Sequence, residues 1–327
     1  MSTQHSQPTD RRTYLVTGAA GFIGSHLSEA LLERGDRVVG LDAFTDYYAR
    51  ADKEANLAGL REHPGFTLVE EDLNLADLPS LIAGSDGVFH LAGQPGVRGS
   101  FGDTFSTYLS DNLMATQRVF ETAGRAGRRV VYASSSSVYG NAKSYPTTER
   151  SPVRPVSPYG VTKLCCEHLA DSYADVLDLD AIGMRYFTVY GPRQRPDMAT
   201  ERICRALLSG DRFEVFGTGE QSRDVTYVLD AVSATMALMD RAPGRGVYNI
   251  GGGSETTLRE IIETCERLSG RKLDANYGEP AAGDVRRTAA DCSLIREQIG
   301  WQPATGLEQG LQAQLDHVAA TPFVTLS

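Results

Sequence analysis

Three side chains of complementary chemistry stand out: Ser135 in RRVVYASSSSVYG, and Tyr159 and Lys163 in SPYGVTKLCCEHLA. A phenol ionises only near ~10 in water, so a tyrosine acting as a base at neutral pH needs cationic help. Lys163 follows Tyr159 at the spacing that puts both on one helix face. A helix N-terminus would add to its effect. A strand-end hydroxyl such as that of Ser135 can bridge the phenol and a reacting oxygen. Such a set suits the removal of a proton from an alcohol. Tyr-x-x-x-Lys also occurs as an ordinary surface pair, so its meaning depends on the elements that carry it.

Ser157 is a good N-cap and Pro158 suits the first helical position, which predicts a helix opening just before Tyr159. Short apolar runs alternate with amphipathic ones through TYLVTG, GFIGSHLSEALLERG, RVVGLD, FTLVEEDL, GVFHLAG, RRVVYASSSS and DAIGMRYF. This alternation predicts an α/β fold, a Rossmann-type doubly wound parallel sheet covered on both faces. From about Phe187 the chain turns to Pro- and Gly-rich loops and short helices, although DVTYVLDAVSATMALM and GVYNIGGG still read as a helix and strand of the first layer. The expected organisation is a disordered N-terminus over 1–12 and a dinucleotide-binding domain over 13–187 plus about 225–250. A smaller, discontinuous C-terminal substrate domain would take 188–224 plus about 251–320.

In YLVTGAAGFIGSHL, Gly18, Gly21 and Gly24 lie between strand and helix, where bare backbone can bring N–H groups and the positive helix end onto a pyrophosphate. Asp42 ends the next strand and can accept from an adenosine ribose; it would repel a 2'-phosphate, favouring NAD over NADP. Asp72 and Leu73, after the third strand, would flank the adenine.

The chain has 327 residues, 41% of them hydrophobic, enough for a full core. With 32 Lys+Arg against 42 Asp+Glu, the formal charge of -10 disfavours nucleic acid and anionic membranes as partners. An anionic ligand must then be small and locally bound. The five cysteines contain no C-x-x-C and fit a reduced cytoplasm with no zinc site. The polar start lacks a signal-like apolar run, and no segment approaches the roughly 18 unbroken apolar residues of a membrane span.

Together TGAAGFIGSHL, Asp42, HLAG, Asn112 in YLSDNLMAT, SSSSVYG, YGVTK and QSRDVTYV resemble the extended short-chain dehydrogenase/reductase family, which acts on nucleotide sugars; the resemblance runs from about residue 13 to 310. It implies Ser135, Tyr159 and Lys163 as the catalytic set and NAD as cofactor. It also implies cofactor contacts at Phe22, Ile23, Leu91, Ala92 and Asn112, and at Tyr159 and Lys163 themselves, with Asn112 organising the middle helix. Sugar-nucleotide 4,6-dehydratases carry an Asp-Glu pair where Ser136 and Ser137 stand here, and UDP-glucuronate decarboxylases usually carry a Glu at the second position. The chain departs from the family in Gly93, where Ala is common, and in Val225 and Leu229.

RYFTVYGPRQRPDMA, DAFTDYYARADKEANL and QPGVRGSF are similar to the UDP-glucuronate 4-epimerase branch. That resemblance implies that Ser136, Ser137 and Thr188 hydrogen-bond a sugar carboxylate, with Arg195 beside the sugar and Arg98 also at the substrate. Arg223 and Arg286 or Arg287 would clamp the diphosphate, since guanidinium forks match phosphate geometry. Asp284 would hold the uridine ribose, Phe216 would pack on the uracil, and Arg185 would fix its strand end structurally. The expected activity is interconversion of UDP-glucuronate and UDP-galacturonate through a transient 4-keto sugar, in a cytoplasmic homodimer. The alternatives are a UDP-hexose 4-epimerase, a UDP-glucuronate decarboxylase, or an NAD-sensing regulator without catalysis.

Overall fold

Each of the apolar runs quoted above as a strand forms one in the computed structural model, which describes residues 11–279 and 285–321. The strands are β1 (Thr13–Thr17), β2 (Arg37–Asp42), β3 (Phe66–Glu70), β4 (Gly87–His90), β5 (Val130–Ser135), β6 (Ala181–Tyr186), β7 (Thr188–Tyr190), β8 (Phe213–Phe216), β9 (Ser222–Tyr227), β10 (Gly246–Ile250), β11 (Glu255–Thr257) and β12 (Ala275–Gly278). The helices are α1 (Phe22–Glu33), α2 (Arg50–Arg61), α3 (Leu78–Ala83), α4 (Phe105–Tyr108), α5 (Ala115–Ala126), α6 (Pro158–Leu177), α7 (Ala199–Ser209), α8 (Val228–Arg241), α9 (Leu258–Ser269), α10 (Ser293–Ile299) and α11 (Leu307–Ala320).

A seven-stranded parallel sheet runs β10-β6-β5-β4-β1-β2-β3. Along β1, Tyr14 and Val16 enter one core and Leu15 the other, so both faces are buried and the strand carries no polar alternation. Helices α1 and α8 cover the first face, while α3, α5 and α6 cover the second. Because strand order reverses between β1 and β4, the loops leaving their carboxyl ends diverge and open a crevice there.

The smaller part has a three-stranded sheet, β11-β9-β7, and a two-stranded one, β12-β8. Around them Ile203, Leu207, Val215, Ile261 and Leu311 make a separate core with α7, α9 and α11. Two details depart from the expected boundaries. Residues 225–227 lie in β9 of the small sheet, paired with β7. Ile295, Ile299 and Trp301, expected with the substrate part, pack in the first core. The expected N-terminal disorder falls mostly outside the described residues, but Arg12 already joins the sheet, its carbonyl accepting from Arg37 N at 2.8 Å.

Candidate active site

The cofactor end is made by main chain meeting main chain. Gly18 has φ +72°, and a Cβ there would stand 2.9 Å from Ala92 N; a Cβ on Gly24 would stand 2.1 Å from the Gly18 carbonyl oxygen. Neither position admits a side chain without moving backbone. Gly21 caps α1, and the first-turn N–H groups that follow have no partner within the helix. The Asp42 carboxylate accepts from Ala20 N at 3.0 Å and from Phe44 N at 2.9 Å, which fixes it at the end of β2 while leaving each oxygen a lone pair. Gly18, Gly21, Phe22, Ile23, Gly24, Asp42, Asp72, Leu73, Leu91 and Ala92 all line this cleft. An anion-binding helix end, glycines that leave no room for a Cβ and an acidic residue at the ribose position fit NAD.

Lys53, not singled out from sequence, also lines this cleft. Its Nζ donates to the Thr45 carbonyl at 2.6 Å and lies 4.9 Å from the centroid of the Tyr48 ring. A lysine in a helix as polar as α2 reads as a solvated residue, so only its place in DAFTDYYARADKEANL could have drawn attention.

Deeper in, α6 opens where expected: the Ser157 hydroxyl accepts from Gly160 N at 3.1 Å and Pro158 takes the first position. Tyr159 and Lys163 share a face, with the ammonium 6.0 Å from the phenol ring centroid. Lys163 is buried and donates to the Ala133 carbonyl at 3.0 Å, which fixes its head under the site. Ser135 caps the short Ser136–Val138 turn by accepting from Ser137 N at 3.1 Å, and it faces the same cavity as Tyr159.

Asn112 is fully buried in a π-helical turn, Leu109–Met114, between α4 and α5. It accepts from Gln94 N at 2.7 Å and donates to Gln94 O and Thr162 Oγ1, both at 3.1 Å. The side chain is thereby spent on the loop after β4 and on α6, in keeping with the organising role expected of it. The departure at Gly93 has its reason here: a Cβ would fall 2.7 Å from Asn112 Oδ1. His90 is a packing residue, held between Thr17 Oγ1 at 2.8 Å and Thr116 Oγ1 at 2.9 Å. Burial, with Lys163 nearby, pushes its imidazole down to about 3.

The end expected to take the sugar is a cavity of about 670 Å³ that shares Gly93, Gln94 and Ala133 with the cofactor cleft. Ser135, Ser136, Ser137 and Thr188 bring hydroxyls to one side of it. Arg98 and Arg195 approach from loops, Arg202 from α7 and Arg223 from β9. Arg195 is bound by Asp197, through Nε at 2.9 Å and Nη2 at 3.1 Å. Arg98 stacks 4.4 Å from the centroid of the Phe216 ring. Arg202 was not singled out from sequence, because an arginine on an amphipathic helix gives no sign of facing a cleft.

Other arginines are committed elsewhere. Arg193 is turned away at φ +64° and forks onto Glu29 at 2.9 and 2.7 Å. Arg185 is buried against Glu167 at 2.7 Å, the structural role expected of it. Arg287, also expected near the diphosphate, forks onto Glu255. Arg286 is exposed and lines a separate depression beyond Phe216, not the cavity that holds Tyr159. Asp284 lies outside the described residues.

Residues 14–251 match the family model described as the NAD dependent epimerase/dehydratase family. The chain belongs to that family. It is 40% identical to the "Uncharacterized UDP-glucose epimerase YtcB" of Bacillus subtilis, over 94% of this chain and 98% of that one. It is 37% identical to UDP-glucuronate 4-epimerase 4 of Arabidopsis thaliana, over 92% of this chain and 74% of the relative. The crystal structure of UDP-glucuronic acid 4-epimerase from Bacillus cereus with UDP-glucuronic acid and NAD superposes with a TM-score of 0.90 at 39% identity, covering 94% of this chain and 99% of that chain. The glycine cradle, Phe216 and Arg223 lie within the matched segment, and Arg286 lies beyond it.

Proposed function

We propose that this protein is an NAD-dependent UDP-glucuronate 4-epimerase, an isomerase interconverting UDP-glucuronate and UDP-galacturonate. The observation that carries the reading is the meeting, in one continuous cleft, of the Ser135–Tyr159–Lys163 set with three further hydroxyls, a group of arginines and a dinucleotide cradle. Ser136 and Ser137 offer no carboxylate to expel water, which argues against a dehydratase.

Bound NAD supplies a hydride acceptor for C4 of the sugar and then the donor that returns it to the opposite face. Tyr159 removes the 4-OH proton, and Lys163 stabilises the phenolate that receives it. Ser135 steers the sugar oxygen toward the phenol. While the 4-keto sugar turns over, Arg223, Arg202 and Arg98 keep the diphosphate anchored. Ser136, Ser137 and Thr188 hold the C6 carboxylate, keeping its bond to the ring out of line with the C4 carbonyl and so limiting loss of CO2. In this reading the seven-stranded sheet is the cofactor half and the smaller sheets are the nucleotide-sugar half.

NMR of products formed from UDP-glucuronate tests the proposal: UDP-galacturonate is expected, and a UDP-pentose or no reaction overturns it. Thr188→Val should raise CO2 release relative to epimer. A second reading, a UDP-glucose 4-epimerase, is favoured by one observation: Arg195 is already neutralised by Asp197 and is not left to pair with a carboxylate. UDP-glucose in a parallel assay decides between them.

We place the enzyme in the cytoplasm, where its five free cysteines stay reduced. None of the described helices is long and apolar enough to cross a membrane. Exposed Leu109, Met114 and Val161, on neighbouring helical segments, support a homodimer through that face.

A further inference from the structure

The loop after β2 and the loop after β7 meet across the cleft. Tyr47 Oη donates to Asp197 Oδ2 at 3.1 Å, and the same carboxylate takes both bonds from Arg195. The Arg195 guanidinium lies 5.7 Å from the Tyr47 ring centroid. Tyr47 and Arg195 both line the cofactor cleft and the sugar cavity, so this contact spans the place where the two join. The first loop is also fastened at its stem, by Lys53 to the Thr45 carbonyl. Gly96 lies close behind: a Cβ there would stand 2.8 Å from Tyr47 Oη. Burial and the Asp197 carboxylate push the Tyr47 phenol up to about 12, so it remains a donor.

The reaction proposed above makes a demand on this region. Hydride taken from C4 must return to the same sugar, and a dinucleotide that escapes midway strands a ketone. Retention must outlast the turning of the sugar. The glycine cradle, Tyr47 and Arg195 all line the cofactor cleft, and Asp197 joins the last two.

We propose that Tyr47, Asp197 and Arg195 form a clasp that retains the dinucleotide through the catalytic cycle, with Asp197 the positioning residue that orients the other two. The purpose of the clasp rests on the epimerase reading, but its test does not.

Parent, Tyr47→Phe and Asp197→Asn proteins are loaded with radiolabelled NAD, and its release into excess unlabelled NAD is timed without any sugar nucleotide. Release about tenfold faster is expected in both variants, the size of a lost hydrogen bond to a charged group. Glu54→Gln removes an exposed partner of Arg50 on α2 and should keep the parent's rate. Release in Tyr47→Phe within about twofold of the parent overturns the clasp, as does equal acceleration in Glu54→Gln. If Asp197→Asn does not fold, Tyr47→Phe alone decides. A protein that proves to act on another UDP-hexose leaves these rates untouched, so failure of the clasp and failure of the substrate assignment are told apart.

Discussion

At the cofactor end of the cleft, Gly18 and Gly24 press backbone against backbone, whereas at the sugar end arginines reach in on long side chains from four separate places in the chain. The first kind of site is fixed by what is missing, since any Cβ collides with main chain. The second is fixed by where flexible heads are tied, as Arg195 is by Asp197. A site of the first kind should fail abruptly under small substitutions, and one of the second should weaken by steps.

The largest effect is expected where the two ends meet. Tyr159→Phe should lower turnover of UDP-glucuronate by about 10²–10⁴-fold in a product assay, with NAD content unchanged. A fall in NAD content instead would mean that the phenol belongs to the cofactor end. Next comes Gly24→Ala, which should cost roughly 1–3 kcal/mol or more in denaturant unfolding and strip NAD from the purified protein. Its counterpart is Gly59→Ala in α2, where a Cβ meets nothing within 4 Å. That change should stabilise by about 0.5–1 kcal/mol.

At the sugar end, Arg202→Ala and Arg223→Ala should each raise KM by about tenfold, with little change in kcat and none in the melting temperature. A collapse of kcat in either variant would show that these side chains do more than anchor. The smallest effect concerns Asp224, a buried carboxylate in the substrate part that accepts from Gly252 N at 2.6 Å and Ala290 N at 3.0 Å. Burial raises it from 3.8 to about 6. The folded state therefore keeps this proton where the unfolded chain has lost it. The resulting stability is full below the unfolded value and is lost as pH rises through about 6. Between pH ~5 and pH ~7.5 the parent should lose on the order of 1 kcal/mol relative to Asp224→Asn in urea unfolding.

Legibility in the sequence follows the same division. The strands, the Gly18–Gly21–Gly24 turn, Asp42 and the Ser157–Pro158 helix start were readable, because local periodicity and backbone chemistry specify them. Arg193 and Arg195 were not separable: they stand two apart in sequence, yet a left-handed residue sends the first to Glu29 while the second stays at the cleft. Arg286 and Arg287 pose the same difficulty: Glu255, on a strand remote in sequence, takes the second, while the first lines a separate depression. Ile295, Ile299 and Trp301 return to the first core through tertiary packing that no local pattern announces.

The widened turn at Leu109–Met114 carries no reacting group, yet it sets the angular phase of everything after it. An α-helix rotates by about 100° per residue, so one residue more or fewer swings the following side chains round the axis. Asn112 faces the loop after β4 while Val119 and Phe120 face the sheet only because that surplus is kept. Shortening the chain there by a single residue sets the two ends of the helix at odds. Either the loop beside Lys163 loses its tether or the core loses its aromatic filling.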